Sequence, residues 1–159
     1  QKSPQELSGI VEELVNQFRL VADEKQIRLR VICPGAVLAE VDRAQFGRLV
    51  NSLLHNAVKY TQPGGEVDVM LSEDGGEVCL TVADNGPGIA AVHLPHIFER
   101  FYRVRDGDRD EEKGIGLGLA FVAWIVKAHG GRIDVSSDAG QGTTFEVALP
   151  AGAVAANSD

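Results

Sequence analysis

No run of apolar residues in this sequence approaches the ~20 that a bilayer-spanning helix requires. Nothing apolar follows the opening Gln1-Lys2-Ser3-Pro4 either, so neither a membrane span nor a targeting peptide is expected within it. Cysteine is scarce. Cys33 and Cys79 stand far apart in strand-like runs, with no second ligand pair for a metal, and two buried free thiols in a reducing compartment are expected. Positive charge is in deficit: 15 Lys and Arg oppose 23 Asp and Glu, a formal net charge of -8. Such a surface repels phosphodiester polymers and anionic headgroups, which argues against nucleic acid and membrane as direct partners. An anionic small ligand would need a local cluster of cations or amide dipoles. What remains is ordinary for one soluble globular domain: 159 residues with 44% hydrophobic side chains, enough for a core without staples.

Leu7, Ile10, Val11, Leu14, Val15, Phe18 and Val21 recur at helical spacing and predict an amphipathic helix over 8–24. Ile27, Leu29 and Val31 alternate with arginines, a strand with one buried face. Asp42-Arg43-Ala44-Gln45 has the form of a capping box. It opens a helix striped by Phe46, Leu49, Val50, Leu53, Leu54, Ala57 and Val58, which Pro63-Gly64-Gly65 ends. Two alternating runs, 67–71 and 78–82, flank Asp74-Gly75-Gly76 and predict a hairpin. The stretch 105–113 is densely charged and holds nothing apolar, the composition of a mobile loop. Gly116–His129 is apolar on nearly every face, which predicts a buried helix closed by Gly130-Gly131. Two more strands, around 133–135 and 145–149, follow, and Ala151–Asp159 reads as a disordered tail. Three striped helices and one-faced strands imply an α/β fold of two layers, a mixed sheet with its helices on one side.

Four segments exceed what packing requires. On the second helix Ser52, Asn56, Lys59 and Tyr60 lie at i, i+4, i+7 and i+8, one stripe beside the apolar one. An amide oxygen, a cation and an aromatic ring on one edge suit a metal-bound phosphate and a flat base, although a solvated helix edge would look the same. Asp84-Asn85-Gly86-Pro87-Gly88 follows a strand. A carboxylate at a strand end can accept a hydrogen bond from an exocyclic amine, and glycines admit close backbone approach. An ordinary turn would also use Asn-Gly. Gly114-Ile115-Gly116-Leu117-Gly118-Leu119 leads into a helix whose free N–H groups can cradle phosphate. Its spacing is neither the dinucleotide fingerprint nor a Walker A loop. Gly140-Gln141-Gly142-Thr143 offers a hydroxyl at a bend before the last strand.

In this order the segments resemble the N, G1, G2 and G3 boxes of the sensor histidine kinases, within the wider family of gyrase-, Hsp90- and MutL-type ATPases. Phe98-Glu99-Arg100-Phe101-Tyr102-Arg103 resembles the F box and favours the kinase branch, with a look of its actinobacterial members. The resemblance covers roughly 8–150. It implies a Bergerat α/β sandwich, a mixed and mostly antiparallel sheet with three helices on one face. On it, residues 1–150 are the ATP-binding catalytic domain, with 104–115 a mobile lid over the nucleotide and 151–159 a tail. It implies that Asn56 ligates Mg²⁺ bridging the phosphates of ATP, that Lys59 contacts a phosphate and that Tyr60 packs by the adenine. Asp84 then reads the adenine amino group, helped by Thr143 or a water, and Gly86 and Gly88 shape the base pocket. Gly114, Gly116, Leu117 and Gly118 hinge and cap the lid. Arg103 is the first F-box candidate for a phosphate contact, ahead of Arg100, Arg105, Arg109 and Lys113. The implied partners are a histidine-bearing dimerisation domain of the parent kinase and a response regulator. The implied place is the cytoplasmic side of a parent anchored in the cell membrane.

Two departures stand out. Family members often carry Asn four residues before the metal-binding Asn. Here that position is Ser52, and Asn51 sits ~100° away around the helix. The related hydrolytic ATPases carry Glu one turn before that Asn, and Ser52 is no general base. Moreover, none of His55, His93, His96 and His129 stands in an H-box context, so the phospho-acceptor is expected outside this sequence. Two other functions stay open at this point: a hydrolytic ATP machine, and a non-catalytic nucleotide-sensing module.

Overall fold

One-faced strands and striped helices bury their apolar sides only against each other, and the computed structural model joins them in that way. It describes residues 1–89, 91–99, 115–138 and 140–152, with side chains from Leu119 onward in the last helix. The elements are β1 (Ser3–Glu6), α1 (Leu7–Glu24), β2 (Arg28–Ile32), β3 (Leu38–Val41), α2 (Arg43–Tyr60), β4 (Glu66–Asp74) and β5 (Glu77–Asp84). A 3₁₀ turn (Leu94–His96), α3 (Ile115–Ala128), β6 (Arg132–Asp138) and β7 (Gly142–Pro150) follow. The five-stranded sheet runs β2-β4-β5-β7-β6, with β2 and β4 parallel and the other pairs antiparallel. It carries three helices, the α/β sandwich expected from the sequence.

The alternation predicted for the strands sets the core. Val67, Val69, Leu71, Val78, Leu80, Val82, Phe145, Val147 and Leu149 are buried, and the intervening Asp68, Met70, Cys79 and Thr81 are half-buried on the other face. All seven stripe residues of α2 are buried, Phe46, Leu49, Leu53 and Leu54 at 1% exposure or less. Each side chain of that size contributes roughly 1.5–3 kcal/mol by burial, so packing holds α2. Its ends are also tied. The Asp42 carboxylate accepts from Gln45 N–H at 2.9 Å. At the other end the Lys25 ammonium donates to the carbonyls of Val58, at 2.8 Å, and Lys59, a cation at the negative end of the helix dipole.

Several expectations are corrected. The capping box is half-formed: the Asp42 N–H donates to His129 Nε2 at 3.1 Å rather than to the Gln45 side chain. In α1 the inward position of the last turn belongs to Ala22, and Val21 is 51% exposed. Helix α3 is buried on one face only. Trp124 is 54% exposed and Lys127 is exposed, while Leu119, Val122, Ile125 and Val126 point inward. Ala151 is not part of a loose tail, because it is fully buried, donates to Gly76 O and accepts from Glu40 N–H. Residues 153–159 lie outside the described residues. Cys33 and Cys79 are free but half-buried, and Cys33 Sγ lies 3.1 Å from Ser8 Oγ just beyond β2. Finally, β1 and β3 form a separate antiparallel ladder that periodicity does not reveal. Four-residue strands are too short to show it, and β1 begins Ser-Pro.

Candidate functional site

Polar side chains interrupt the helix-facing side of the sheet at one end. The rows of that face are fixed by register: Val82, Phe145 and Val135 make an apolar row, and two residues further along lie Asp84, Thr143 and Ser137. The same parity that buries the first row points the second toward the helices. Each polar group there has partners. The Asp84 carboxylate accepts from Gly86 N–H at 2.9 Å, and the Thr143 N–H also favours its charged form. The hydroxyls of Thr143 and Ser137 meet at 2.9 Å. Ser137 Oγ also accepts from Ile89 N–H at 2.6 Å and donates to Gly142 O at 3.0 Å. Burial pushes the Asp84 carboxyl above the ordinary carboxylate range, against the lowering effect of the Gly86 and Thr143 amide N–H groups.

Backbone crowding closes the surround. A Cβ on Gly86 would sit 3.1 Å from Asp84 Oδ1 and 3.1 Å from Tyr60 O, so the loop after β5 rests on the end of α2. A Cβ on Gly142, at φ +112°, would come within 2.1 Å of Asp84 O, which only glycine permits. Gly88 has φ +79° and is half-buried. Asn85 ties the loop to β4 by accepting from Glu66 N–H at 2.7 Å. Beside it, Thr61 is 1% exposed, and its Oγ1 has no hydrogen-bond partner among the described residues.

The stripe on α2 has the expected contrast. Ser52, Asn56, Lys59 and Tyr60 are all half-buried, whereas Asn51 and His55 are exposed. The Lys59 ammonium lies 6.0 Å from the Tyr60 ring centroid. Phe98 packs edge-on against Phe145, ring centroids 6.1 Å apart, which docks the start of the Phe-rich segment on the apolar row. Gly116, Leu117 and Gly118 fall in the first turn of α3. Arg100, Arg103, Arg105, Arg109, Lys113 and Gly114 lie outside the described residues, as does 104–114 of the expected lid. Neighbouring the stripe, a groove of about 780 Å³ runs between the helices, lined by Ile10, Leu14, Ala44, Arg48, Ser52 and Phe121 among others. The Arg48 guanidinium stacks 4.4 Å from the Phe121 ring, and Phe121 stacks on the exposed Trp124 at 5.7 Å.

The ends of α2, β5 and β7 and the loop after β5 thus converge on a half-buried carboxylate within a ring of glycines. This is also where a family model described as the histidine kinase-, DNA gyrase B- and HSP90-like ATPase matches, over residues 41–153. The chain belongs to that family.

Among its relatives, the sensor protein SrrB of Staphylococcus aureus is 33% identical over 149 residues, 94% of this chain. The chain spans about a quarter of the length of such curated relatives, 26% of SrrB. The mycobacterial sensor histidine kinase MprB is 30% identical with a TM-score of 0.80, covering 94% of this chain and 97% of that one. ShkA, solved full-length in complex with AMPPNP, is 30% identical with a TM-score of 0.82 over 94% of this chain and 31% of its own. These relatives place the chain on the sensor histidine kinase branch of the family, as an ATPase-type domain. Sequence reasoning missed Ser137. Its position two residues beyond Val135 on the buried side of β6 was the available signal, because a lone serine in that place needs internal partners.

Proposed function

We propose that this domain binds Mg·ATP and donates the γ-phosphoryl group to a histidine on a separate dimerisation domain of the same sensor kinase. The histidine nitrogen forms the new P–N bond as the bond to the ADP oxygen breaks. The observation that carries the reading is the Asp84 carboxylate, half-buried at the end of the core face with lone pairs left over from its Gly86 amide donor. It is an acceptor of the kind a base with an exocyclic amine needs, and the relative ShkA was solved in complex with AMPPNP, an adenine nucleotide analogue.

The residues fit the implied group. Gly86, where a Cβ would crowd Asp84 Oδ1 and Tyr60 O, lets the loop sit close against the carboxylate, and Asn56 supplies one neutral oxygen on the same helix as Lys59 and Tyr60. Among the described residues no three His, Cys, Asp or Glu side chains gather to hold a metal. That donor set suits Mg²⁺ arriving with the phosphates, since Mg²⁺ is commonly bound by few protein ligands plus phosphate and water. The ion neutralises phosphate charge when bound. Asn56 and Lys59 orient the phosphates, Tyr60 packs by the base and Asp84 reads it, with Gly86 and Gly88 shaping the pocket. Gly114, Gly116, Leu117, Gly118 and Arg103 take lid and phosphate roles on the strength of the motif alone, as does the lid 104–115 on its charge.

Ser52, one turn before Asn56, offers no base to activate water, which favours transfer over hydrolysis. The groove beside it, with Phe121, Trp124 and Arg48, is the surface we assign to the histidine-bearing helix. Membrane anchorage of the parent and a downstream response regulator complete the proposal, and the likeness to MprB accords with an actinobacterial affinity. Among the described residues no helix is long and apolar enough to cross a membrane. The test is a purified-domain titration with an ATP analogue, with and without Mg²⁺, followed by a turnover assay. Mg-dependent binding with negligible hydrolysis is expected, and added histidine-bearing helices should then become phosphorylated. Rapid hydrolysis by the domain alone would replace this reading with the hydrolytic one.

A further inference from the structure

The polar row at the end of the core face has three members: the proposed function gives work to Asp84, the family resemblance gives Thr143 a helping role, and Ser137 has none. We infer that Ser137 is a positioning residue that fixes the hydrogen-bond polarity of Thr143, and so makes the base pocket select an exocyclic amine over an exocyclic carbonyl. The inference rests on the nucleotide-binding reading above.

The proton count carries it. A serine hydroxyl has one proton and two lone pairs. Ser137 Oγ has three neighbours at hydrogen-bond distance: Ile89 N–H at 2.6 Å, Gly142 O at 3.0 Å and Thr143 Oγ1 at 2.9 Å. The amide can only donate and the carbonyl can only accept. The Ser137 proton therefore goes to Gly142 O, and one lone pair takes the Ile89 amide. The remaining lone pair faces Thr143, so in that contact the threonine hydroxyl is the donor. Its proton is then committed inside the protein, and what Thr143 Oγ1 has left is acceptor capacity. Asp84, beside Thr143 in register, is likewise an acceptor, its carboxylate already holding Gly86 N–H.

Two adjacent groups with lone pairs alone form a complement to an N–H₂ group. Against a ring carbonyl they place oxygen against oxygen. Thr143 is 6% exposed, so water has little room to invert that polarity. Without Ser137 the Thr143 hydroxyl rotates freely and can donate to a carbonyl. Ser137 further pins the loop after β5 to the β6–β7 hairpin through Ile89, so the polarity and the pocket wall share one anchor.

ATP and inosine triphosphate differ on one edge of the purine, a C6 amine beside an unprotonated N1 against a C6 carbonyl beside an N1–H, and their dissociation constants on the purified domain read the effect. The N1 difference is common to parent and variants, so a change in the ratio reports the C6 contact. The parent domain is expected to favour ATP by about tenfold or more, the scale of one mispaired buried group. Ser137→Ala should narrow the ATP-to-inosine-triphosphate ratio several-fold, chiefly by tightening inosine triphosphate. Ser137→Thr, which keeps the hydroxyl, should restore the ratio. A purely structural serine would weaken both nucleotides together and leave the ratio unmoved, and that result overturns the proposal. If Ser137→Ala does not fold, judged by circular dichroism, Thr143→Val replaces it and is expected to narrow the ratio as well; an unmoved ratio there overturns the proposal equally. Failure of the parent domain to bind ATP sinks the nucleotide reading itself. ATP binding with an unchanged ratio in the variants sinks the Ser137 inference alone.

Discussion

Replacing Asp84 by Asn separates recognition from stability, because the two respond with opposite sign. In the folded chain the carboxylate accepts from Gly86 N–H at 2.9 Å with the Thr143 amide also favouring its charge, and burial still leaves that charge penalised. An Asn in that place can keep one oxygen on one amide. Its N–H₂ must then face either the second amide or the ligand's amine, donor against donor. A mispaired buried group costs roughly 1–3 kcal/mol, so ATP affinity should fall about 5–150-fold. The empty domain loses a desolvated charge in the same exchange, so its melting temperature should hold or rise. The pH dependence follows the same logic. The folded pKa of Asp84 is raised, so the folded state takes up this proton at higher pH than the unfolded chain. Its contribution to stability therefore improves as pH falls through that raised value. ATP affinity moves the other way, since a protonated Asp84 donates where it must accept. Calorimetric titration and thermal unfolding of parent and Asp84→Asn, from neutral to mildly acidic pH, measure both. Loss of affinity accompanied by an equal loss of stability would refute the reasoning, because it would mark Asp84 as a structural group.

Asn56→Asp should weaken Mg-dependent nucleotide binding, because it sets an anion beside the phosphates, although carboxylate is itself a Mg²⁺ ligand; unchanged affinity by calorimetry would remove Asn56 from the metal's coordination. Trp124→Ser should lower phosphoryl transfer to added histidine-bearing helices while leaving ATP affinity within about twofold, since the exposed indole borders the groove and not the base pocket. His129→Ala should destabilise the fold by roughly 1–3 kcal/mol, about 3–10 °C in Tm, because it orphans the Asp42 N–H and removes the ring's bond to the Ile125 carbonyl, which keeps only the residue 129 N–H; an unchanged Tm would mean that water replaces the ring.

The elements that sequence reading recovers are those whose period is long enough to repeat. Helix α2 shows all seven stripe positions, and β4 and β5 alternate through three inward residues each. Helix α3 misleads because its apolar composition is real while its burial is not. Trp124 lies on a face that no described element covers, with Phe121 half-buried beside it under Arg48, and composition cannot distinguish an interior from an exposed apolar face. The half-formed capping box has a similar cause. Gln45 is the right residue at the right spacing, but the Asp42 amide is claimed by His129, 87 positions away, and no local motif can anticipate a competitor so remote in sequence.

The candidate site divides along the same line. Asp84, Gly86 and Asn56 stand out in sequence because each sits in a short ordered motif. Ser137 has no motif, and its meaning comes only from strand register. Pairing of β6 with β7 sets it opposite Thr143, and pairing of β7 with β5 sets Thr143 opposite Asp84, so residues 53 positions apart become one row. Register also explains why these three side chains can be polar in a face otherwise filled by Val82, Phe145 and Val135. They occupy the last row before the loops, where backbone amides of Gly86 and Ile89 turn back over the sheet edge and supply donors. A row further in would find no such amides, and the same residues would be orphaned at a cost of ~1–3 kcal/mol each. The position of the candidate site at the sheet's end is thus set by where the chain can satisfy an acceptor on the core face, and an acceptor satisfied by backbone donors keeps lone pairs to offer.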